Sequence, residues 1–412
     1  MQTLLDVLQS TKELDVKLLI YSHFFAPSVG GVEAAVLSLA SGLAELRLAD
    51  SSPQFDVTVV TQTPAKELVD STFPFRVVRR PSHFQLWRLI RRSDAVHLAG
   101  PSITPLLFAW LVRKRVVLEH HGYQAACLNG LLLHQPDGTP CLGHFLARNY
   151  AECLRCNARE SSWLRSLATL LLMFPRRFLA RHVSANLAIS QHVLNRHALP
   201  RSSVVYYGIE DCRPGQNQQQ DTDVLPNKIS FAFVGRLVRE KGIDVLLEAA
   251  RILREKGKSF EVFLIGDGPE RLKLQEIITR DRLESLVQVT GFLTGPALTQ
   301  ALQKVRVVVM PSVWEETAGL AAIEQMMRGK LVIVSDIGGL GEIVSDGGLK
   351  FRPGDAQGLA QVMCSVLEQP ALIDAIGRKA RERALRLFKR QRMVEEHARI
   401  YWYGSSPGRK IG

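Results

Sequence analysis

Short apolar runs alternate with amphipathic stretches along nearly the whole chain. VKLLIYS at 16–22, FDVTVVTQ at 55–62, FRVVRR at 75–80, AVHLAG at 95–100, RVVLEHHG at 115–122, SANLAIS at 184–190 and SVVYYGIE at 203–210 form a first series. ISFAFVGR at 229–236, FEVFLIGDG at 260–268, LVQVTGF at 286–292, VRVVVMPS at 305–312 and LVIVSD at 331–336 form a second. Each run is short, rich in β-branched residues and bounded by polar or glycine-containing segments, the pattern of a buried strand. Helical periodicity fills the gaps, clearest over 33–46 and 242–256. Strands and helices in alternation predict an α/β fold with parallel sheets and crossover helices. The two series predict two Rossmann-like domains that face each other across a cleft.

The expected boundaries are a first domain over 1–205, a second over 206–388, and a closing segment over 389–412. The polar, aperiodic QNQQQDTD at 216–223 reads as an exposed stretch near the boundary. A basic helix over 378–403 is expected to return to the first domain, ahead of a disordered tail. A length of 412 residues agrees with two cores better than with one.

Open parallel sheets bind ligands beyond the carboxyl ends of their strands, and the polar motifs fall there. PSVWEETAGLAAIEQMMRGKLVIVSDIGGLGEIVSDGGLKFRPGD, 311–355, is the most informative. Glu316 is expected in a loop and Glu324 about two turns into the helix that the loop opens. The backbone N–H groups of Thr317, Ala318, Gly319 and Leu320 then point at an anion from a helix N-terminus. GRLVREKG at 235–242 places Arg236 and Lys241 after the first strand of the second series. Two cations there suit a leaving group on which negative charge develops. Read alone, they are an exposed basic loop before a helix. LIGDGPE at 264–270 is a strand that runs into a turn at Gly266 and Gly268, ordinary in composition and, where a ligand binds there, part of the cleft wall. In the first half, APSVGGVE at 26–33 lets backbone approach a ligand at Gly30 and Gly31, or is simply a tight turn. LEHHGY at 118–123 offers His120 or His121 at a strand end.

The E-x7-E pair around a glycine turn, followed by GK-LVIVSD-IGG-LGEIVSDG, resembles the donor site of the family 4 retaining glycosyltransferases, enzymes with the GT-B fold. The resemblance covers most of the chain and is strongest over 233–355. It implies transfer of a sugar from a nucleotide-diphosphate sugar to an acceptor, with retention at the anomeric carbon. That acceptor is a glycan, a lipid-linked glycan, as in polysaccharide biosynthesis, or a small molecule. The resemblance also implies that Glu316 contacts the donor sugar and Glu324 the ribose hydroxyls. Arg236 and Lys241 would neutralise the diphosphate, with no metal required for catalysis. Gly291, Phe292 and Leu293 would lie against the base, and the 26–33 loop would close over phosphates and acceptor. His121, which precedes the glycine as in the common family arrangement, would face the sugar. Ala318 stands where the family usually has an aromatic, which should loosen packing locally. Tyr207 stands for a usual Asn, a change expected to bear on packing near the hinge. A non-catalytic nucleotide-sugar-binding scaffold on the same fold is the alternative. A dinucleotide dehydrogenase is disfavoured, because no G-x-G-x-x-G follows the first strand.

The segment 123–160 reads as an insert. Cys127, Cys141, Cys153 and Cys156 fall in it, the last two as C-x-x-C. Four thiols at this spacing fit a structural zinc; a disulfide and buried thiols are the other readings. Cys212 and Cys364 read as structural. Helix-like SWLRSLATLLLMFPRRFLARH at 162–182 mixes leucines with Arg165, Arg176, Arg177 and Arg181. Burial inside the domain is the preferred reading. An interfacial helix on anionic lipid is the second.

Net charge is +12. Of 52 basic and 40 acidic residues, 22 and 14 fall in 1–205, leaving 30 and 26 for the rest. The excess therefore sits mostly in the first half, where it suits anionic headgroups or phosphorylated substrates. RRSD at 91–94 and RKR at 113–115 are too short for a nucleic-acid motif, and no nucleic-acid partner is expected. No basic leader with a long apolar core opens the chain, and no apolar run reaches the roughly 18–20 residues of a spanning helix. The expectation is a cytoplasmic protein, with peripheral contact to the inner membrane face as the variant.

Overall fold

A computed structural model describes residues 16–28, 30–48, 51–65, 68–211 and 228–403. The expected exposed stretch at 216–223, Cys212 and the tail beyond Tyr403 lie outside the described residues. Two compact units emerge: one from the described parts of 1–136, 142–209 and 390–412, the other from 137–141 and 210–389.

The first unit is built on seven parallel strands. They are β1 (Val16–Ser22), β2 (Phe55–Thr61), β3 (Arg76–Arg79), β4 (Ala95–Ala99), β5 (Arg115–His120), β8 (Ala185–Ala188) and β9 (Ser202–Val204), ordered β3-β2-β1-β4-β5-β8-β9. Two-residue strands β6 (Leu133–His134) and β7 (Thr139–Pro140) lie in the segment after β5. The second unit carries β10 (Ile229–Val234), β11 (Phe260–Ile265), β12 (Val287–Gly291), β13 (Val307–Met310), β14 (Leu331–Ser335) and β15 (Leu349–Phe351), ordered β12-β11-β10-β13-β14-β15 and parallel throughout. Parallel strands covered on both faces must be apolar on both faces. Accordingly every residue of β13 and of β14 is buried. In each sheet the order reverses beside the first strand, next to β1 in one and β10 in the other. That reversal opens a crevice at the carboxyl ends.

The expected single helix over 378–403 is two. Ala371–Leu387 ends at Phe388, and Arg390–Tyr403 begins anew. Phe388 is fully buried with φ −123°, and the Arg390 N–H donates to the Ile209 carbonyl at 2.9 Å. A backbone donor already committed to Ile209 cannot continue an i→i−4 ladder. Residues from 390 onward belong to the first unit. There Met393, Val394, Ala398 and Tyr401 share a core with Leu39 and Leu43 of the helix Gly31–Glu45 and with Val117 of β5. Two helices approach closely at Gly42, where a Cβ would sit 2.3 Å from Val394 Cγ2.

That contact predicts a sign reversal. Gly42→Ala in the wild-type chain should lose about 1 kcal/mol, because overpacking of roughly 1–3 kcal/mol outweighs the ~1 kcal/mol gain in helix propensity. In a Val394→Ala background the same change should stabilise. Urea unfolding of the two singles and the double decides. Equal effects of Gly42→Ala in both backgrounds would refute the contact.

Candidate functional site

In the second unit the loops that leave β10 to β14 are joined backbone to backbone. The Gly235 N–H donates to the Ile265 carbonyl (3.0 Å), Leu237 N–H to Asp267 O (2.9 Å), Gly266 N–H to Gly291 O (3.0 Å), Val313 N–H to Glu240 O (3.0 Å) and Gly339 N–H to Glu316 O (2.6 Å). Side chains would block this. A Cβ on Gly266, whose φ is +151°, would lie 1.8 Å from the Gly235 carbonyl oxygen, and one on Gly338, φ +60°, 2.5 Å from that of Glu316. The glycines in these motifs are there so that neighbouring loops can touch. Gly268 meets the same limit, 2.3 Å from the Leu237 carbonyl oxygen.

Lys241 and Glu316 meet at the reversal between β10 and β13. Lys241 closes a single 3₁₀ turn, Arg239–Lys241, after β10; Glu316 follows β13. Lys241 Nζ donates to Glu316 Oε1 at 2.5 Å, and Ser312 Oγ donates to the same oxygen at 2.6 Å. Ser312 is itself held by Ser335 Oγ, which donates to its carbonyl at 2.6 Å. Glu316 is 5% exposed, and the Lys241 ammonium lies 5.9 Å from the Trp314 ring centroid. The carboxylate is thus fixed by a cation and a hydroxyl on one oxygen. Its other oxygen is available to a ligand hydroxyl.

Arg236 is exposed, and among the described residues its guanidinium has no ion pair or side-chain hydrogen bond. It is a cation able to meet a mobile anion. The helix Leu320–Met327 opens at Gly319 in the left-handed region, φ +68°. Glu324 is therefore one turn into the helix, not two, because the loop runs three residues past Glu316 before the helix begins. Ala318 is fully buried, so a small residue there leaves no gap open to solvent. Phe292 is 63% exposed and Leu293 half-buried beside Gly291. Burial pushes the Glu324 carboxyl up, and Arg328 pulls it partly back.

The first unit presents its own polar group at β5. His121 is buried: its Nδ1 lies 2.8 Å from the Tyr207 hydroxyl and its Nε2 3.3 Å from Glu119 Oε2. The Tyr207 ring stacks on it at 5.7 Å and 12°. Tyr207, expected to affect only packing near the hinge, is therefore the partner of His121. His120 turns the other way: its Nε2 is 2.9 Å from Asn186 Oδ1, and its ring lies 4.2 Å from that of His197. Burial and the His197 ring hold His120 well below the usual imidazole range. Each histidine engages one ring nitrogen inside the unit, His121 through Nδ1 and His120 through Nε2. Glu119, unremarked in the sequence, is 3% exposed and central to this network. Strand parity alone places it on the face of His121. Gly30 precedes the helix Gly31–Glu45, and the Glu33 carboxylate folds back over it, within 2.4 Å of where a Cβ would stand.

Of the four insert cysteines, Cys153 and Cys156 are buried on the helix Tyr150–Asn157, and Cys127 is buried on the loop after β5. Cys156 Sγ accepts from the Gln135 N–H at 3.3 Å. Cys141 is buried in the 137–141 segment, which belongs to the second unit.

The helix Trp163–Arg181 packs on the unit through Leu170, Met173 and Leu179, as the preferred reading expects, but only one face is covered. Leu164 (81%), Leu167, Leu171 (60%), Phe174 and Phe178 are exposed at helical spacing, flanked by exposed Trp110 and Leu111. Its arginines divide. Arg176 donates to the Gln124 carbonyl and Arg177 to those of Ala125 and His197, whereas Arg165 and Arg181 are exposed. Two guanidiniums that hold carbonyls inward rotate the leucine stripe outward.

Residues 216–383 match the family model described as glycosyl transferases group 1. A curated relative, the 2-deoxystreptamine glucosyltransferase of Streptomyces kanamyceticus, is 34% identical over 154 residues, 37% of this chain and 40% of that protein. The amylovoran biosynthesis glycosyltransferase of Erwinia amylovora is 27% identical over 259 residues, 60% of each. The chain spans about two fifths of the length of the first curated relatives it matches. Among solved structures, Anabaena Alr3699/HepE in complex with UDP superposes with a TM-score of 0.69 at 18% identity, covering 93% of this chain and 98% of that one. WaaG, a glycosyltransferase involved in lipopolysaccharide biosynthesis, gives 0.61 at 16%, covering 93% and 99%. These likenesses establish the GT-B fold that the sequence pattern led us to expect.

Glu324 sets a pH test of its own. A carboxyl pushed up in the folded chain binds more protons folded than unfolded. Stability is therefore lost as pH rises from the unfolded carboxylate value, about 4.3, through the folded one. Glu324→Gln should raise the melting temperature near pH 7, with the gain vanishing toward about pH 4. A gain independent of pH would refute this assignment.

Proposed function

We propose that this protein is a glycosyltransferase that moves a sugar from a nucleoside-diphosphate sugar to an acceptor, with retention of anomeric configuration. The observation that carries the reading is the Lys241–Glu316 pair, clamped at the strand-order reversal and backed by Ser312. The group 1 match over 216–383 and the UDP and UDP-glucose complexes of Anabaena Alr3699/HepE support a donor of this class.

The chemistry follows from the residues. Departure of a nucleoside diphosphate puts negative charge on the phosphate, which needs compensation in place before the bond breaks. Lys241 and the exposed Arg236 supply it, together with the N–H groups that open the helix at Leu320. Glu316 orients sugar hydroxyls with its free oxygen. Glu324 accepts from the ribose, which gains a desolvated carboxylate a hydrogen-bond donor. Retention rests on the family resemblance and is consistent with the leaving phosphate taking the acceptor proton.

The acceptor reading rests on the outward leucine stripe of the helix Trp163–Arg181. A contiguous apolar ridge of this kind, flanked by Arg165 and Arg181, is the composition of an interfacial helix on anionic lipid. We infer a lipid-linked acceptor or a membrane-apposed glycan.

Three experiments test these readings. Donor hydrolysis and calorimetry across UDP-, GDP- and ADP-sugars should select one nucleotide. Arg236→Ala and Glu316→Ala should each lower turnover by about 100-fold or more, the scale of losing a preorganised charge or positioning contact. A folded chain that binds no donor sinks the enzyme reading; tight binding without turnover promotes the scaffold. NMR of the product anomer decides retention. Separately, Leu167→Glu/Leu171→Glu should weaken partitioning onto phosphatidylglycerol vesicles at least about tenfold, since two leucines lose roughly 1.5–3 kcal/mol each on exposure. Unchanged partitioning refutes the lipid contact.

A further inference from the structure

The network around Glu119 has the form of a metal site. β4 and β5 are parallel with His97 opposite Val117. Glu119, two residues on, therefore shares the face of His97, and His121 continues it. The helix Arg390–Tyr403 packs on that face and brings in His397. His97 Nε2 lies 3.2 Å from Glu119 Oε2, His121 Nε2 3.3 Å from the same oxygen, and His397 Nε2 3.5 Å from Oε1. His97 and His397 are fully buried, and the Glu119 side chain is 4% exposed.

Three features of this group converge. All three Nε2 atoms are buried and lack a well-aligned hydrogen bond, despite those distances. All three Nδ1 atoms have a partner on the far side of the ring: the Tyr401 hydroxyl at 2.8 Å from His97, the Tyr207 hydroxyl at 2.8 Å from His121, and the Met393 carbonyl at 2.9 Å from His397. Rings anchored at one nitrogen so that the other converges are how ligating histidines are held. The separations from Glu119 also suit a shared ion, and the donor atoms of His97, Glu119 and His397 all lie within 4.8 Å of one another. Donors at about 2.0–2.1 Å from a tetrahedral centre stand roughly 3.3–3.4 Å apart. A carbonyl accepts only, so His397 Nδ1 carries a proton toward Met393, which leaves Nε2 as the atom that faces Glu119.

We propose that His97, Glu119 and His397 bind a divalent transition-metal ion of the zinc class, with His121 adjoining the group through Glu119 Oε2. The ion fastens the last helix to the first sheet. Imidazole and carboxylate donors suit zinc, and a site closed to solvent is structural. It is distinct from the Lys241–Glu316 pair of the second unit and from the cysteines of the insert.

The test uses the full chain, unfolded in chelator and refolded with zinc or cobalt(II) alone. Wild type should retain about one ion per chain through gel filtration, and cobalt should give four-coordinate d–d absorption without thiolate charge transfer. Zinc should raise the melting temperature. His97→Asn and His397→Gln should lower occupancy at least about tenfold, whereas Cys153→Ser/Cys156→Ser should keep the full equivalent. Because the wild-type spectrum alone is decisive, a variant that fails to fold costs the test nothing. A folded wild type that retains no ion overturns the proposal, and leaves a protonated His397 on Glu119 in its place. A thiolate band also overturns it, by assigning the metal to the cysteines.

Discussion

Everything the second unit offers a ligand depends on backbone touching backbone at the carboxyl ends of its strands. Five adjacent loops are joined by main-chain hydrogen bonds, from the β11–β12 contact at Gly266 and Gly291 to the β13–β14 contact at Glu316 and Gly339. Such contacts need carbonyls that approach to within the volume of a Cβ, which only glycine leaves empty. The main chain of Glu316 is thus fixed on both sides before its side chain is considered. Lys241 and Ser312 then fix the carboxylate. A preorganised polar group costs no rearrangement when a ligand arrives, which is what an electrostatic site requires.

The first unit solves a different problem. It buries a carboxylate, Glu119, beneath a helix from the far end of the chain. Burial raises that carboxyl, but His121 and His397 together hold it well below the usual range. Burial pushes His397 down, but the carboxylate draws it up overall, while burial keeps His97 down. Arg115 adds to the fastening by donating to the Tyr401 and Ile400 carbonyls at the end of the last helix. The closing helix is therefore held by polar contacts of high geometric demand as well as by Met393, Val394 and Tyr401. Polar groups inside a core specify one arrangement more sharply than apolar ones do, because every wrong arrangement leaves them unpaired.

The placement of Glu316, Glu324, Arg236 and Lys241 was legible in the sequence because it is local. Glu316 and Glu324 lie on one loop and helix, Arg236 and Lys241 on another, and the strand pattern puts both at carboxyl ends. The strands were legible for the same reason, since a buried parallel strand is apolar on both faces. The errors share a cause as well. The break at Phe388 comes from a bond to Ile209, far away in sequence, and helical periodicity carries no trace of it. The outward leucine stripe depends on carbonyls of Gln124, Ala125 and His197 that capture Arg176 and Arg177. Tyr207 looked like a change of packing because nothing nearby in sequence names its partner, His121.

His97, Glu119 and His397 mark the limit of local reading most clearly. Each is a single polar residue within an apolar run or an amphipathic helix, where the ordinary inference is one satisfied side chain. Only parallel register puts the first two on one face, and only the return of the chain brings the third. A site assembled from β4, β5 and the last helix can form only when all three are in place, so its formation reports completion of the unit. The loops of the second unit need no such completion, because their glycines and main-chain bonds come from one continuous stretch of chain. Local sequence therefore speaks for the Lys241–Glu316 pair, and topology speaks for the histidine cluster.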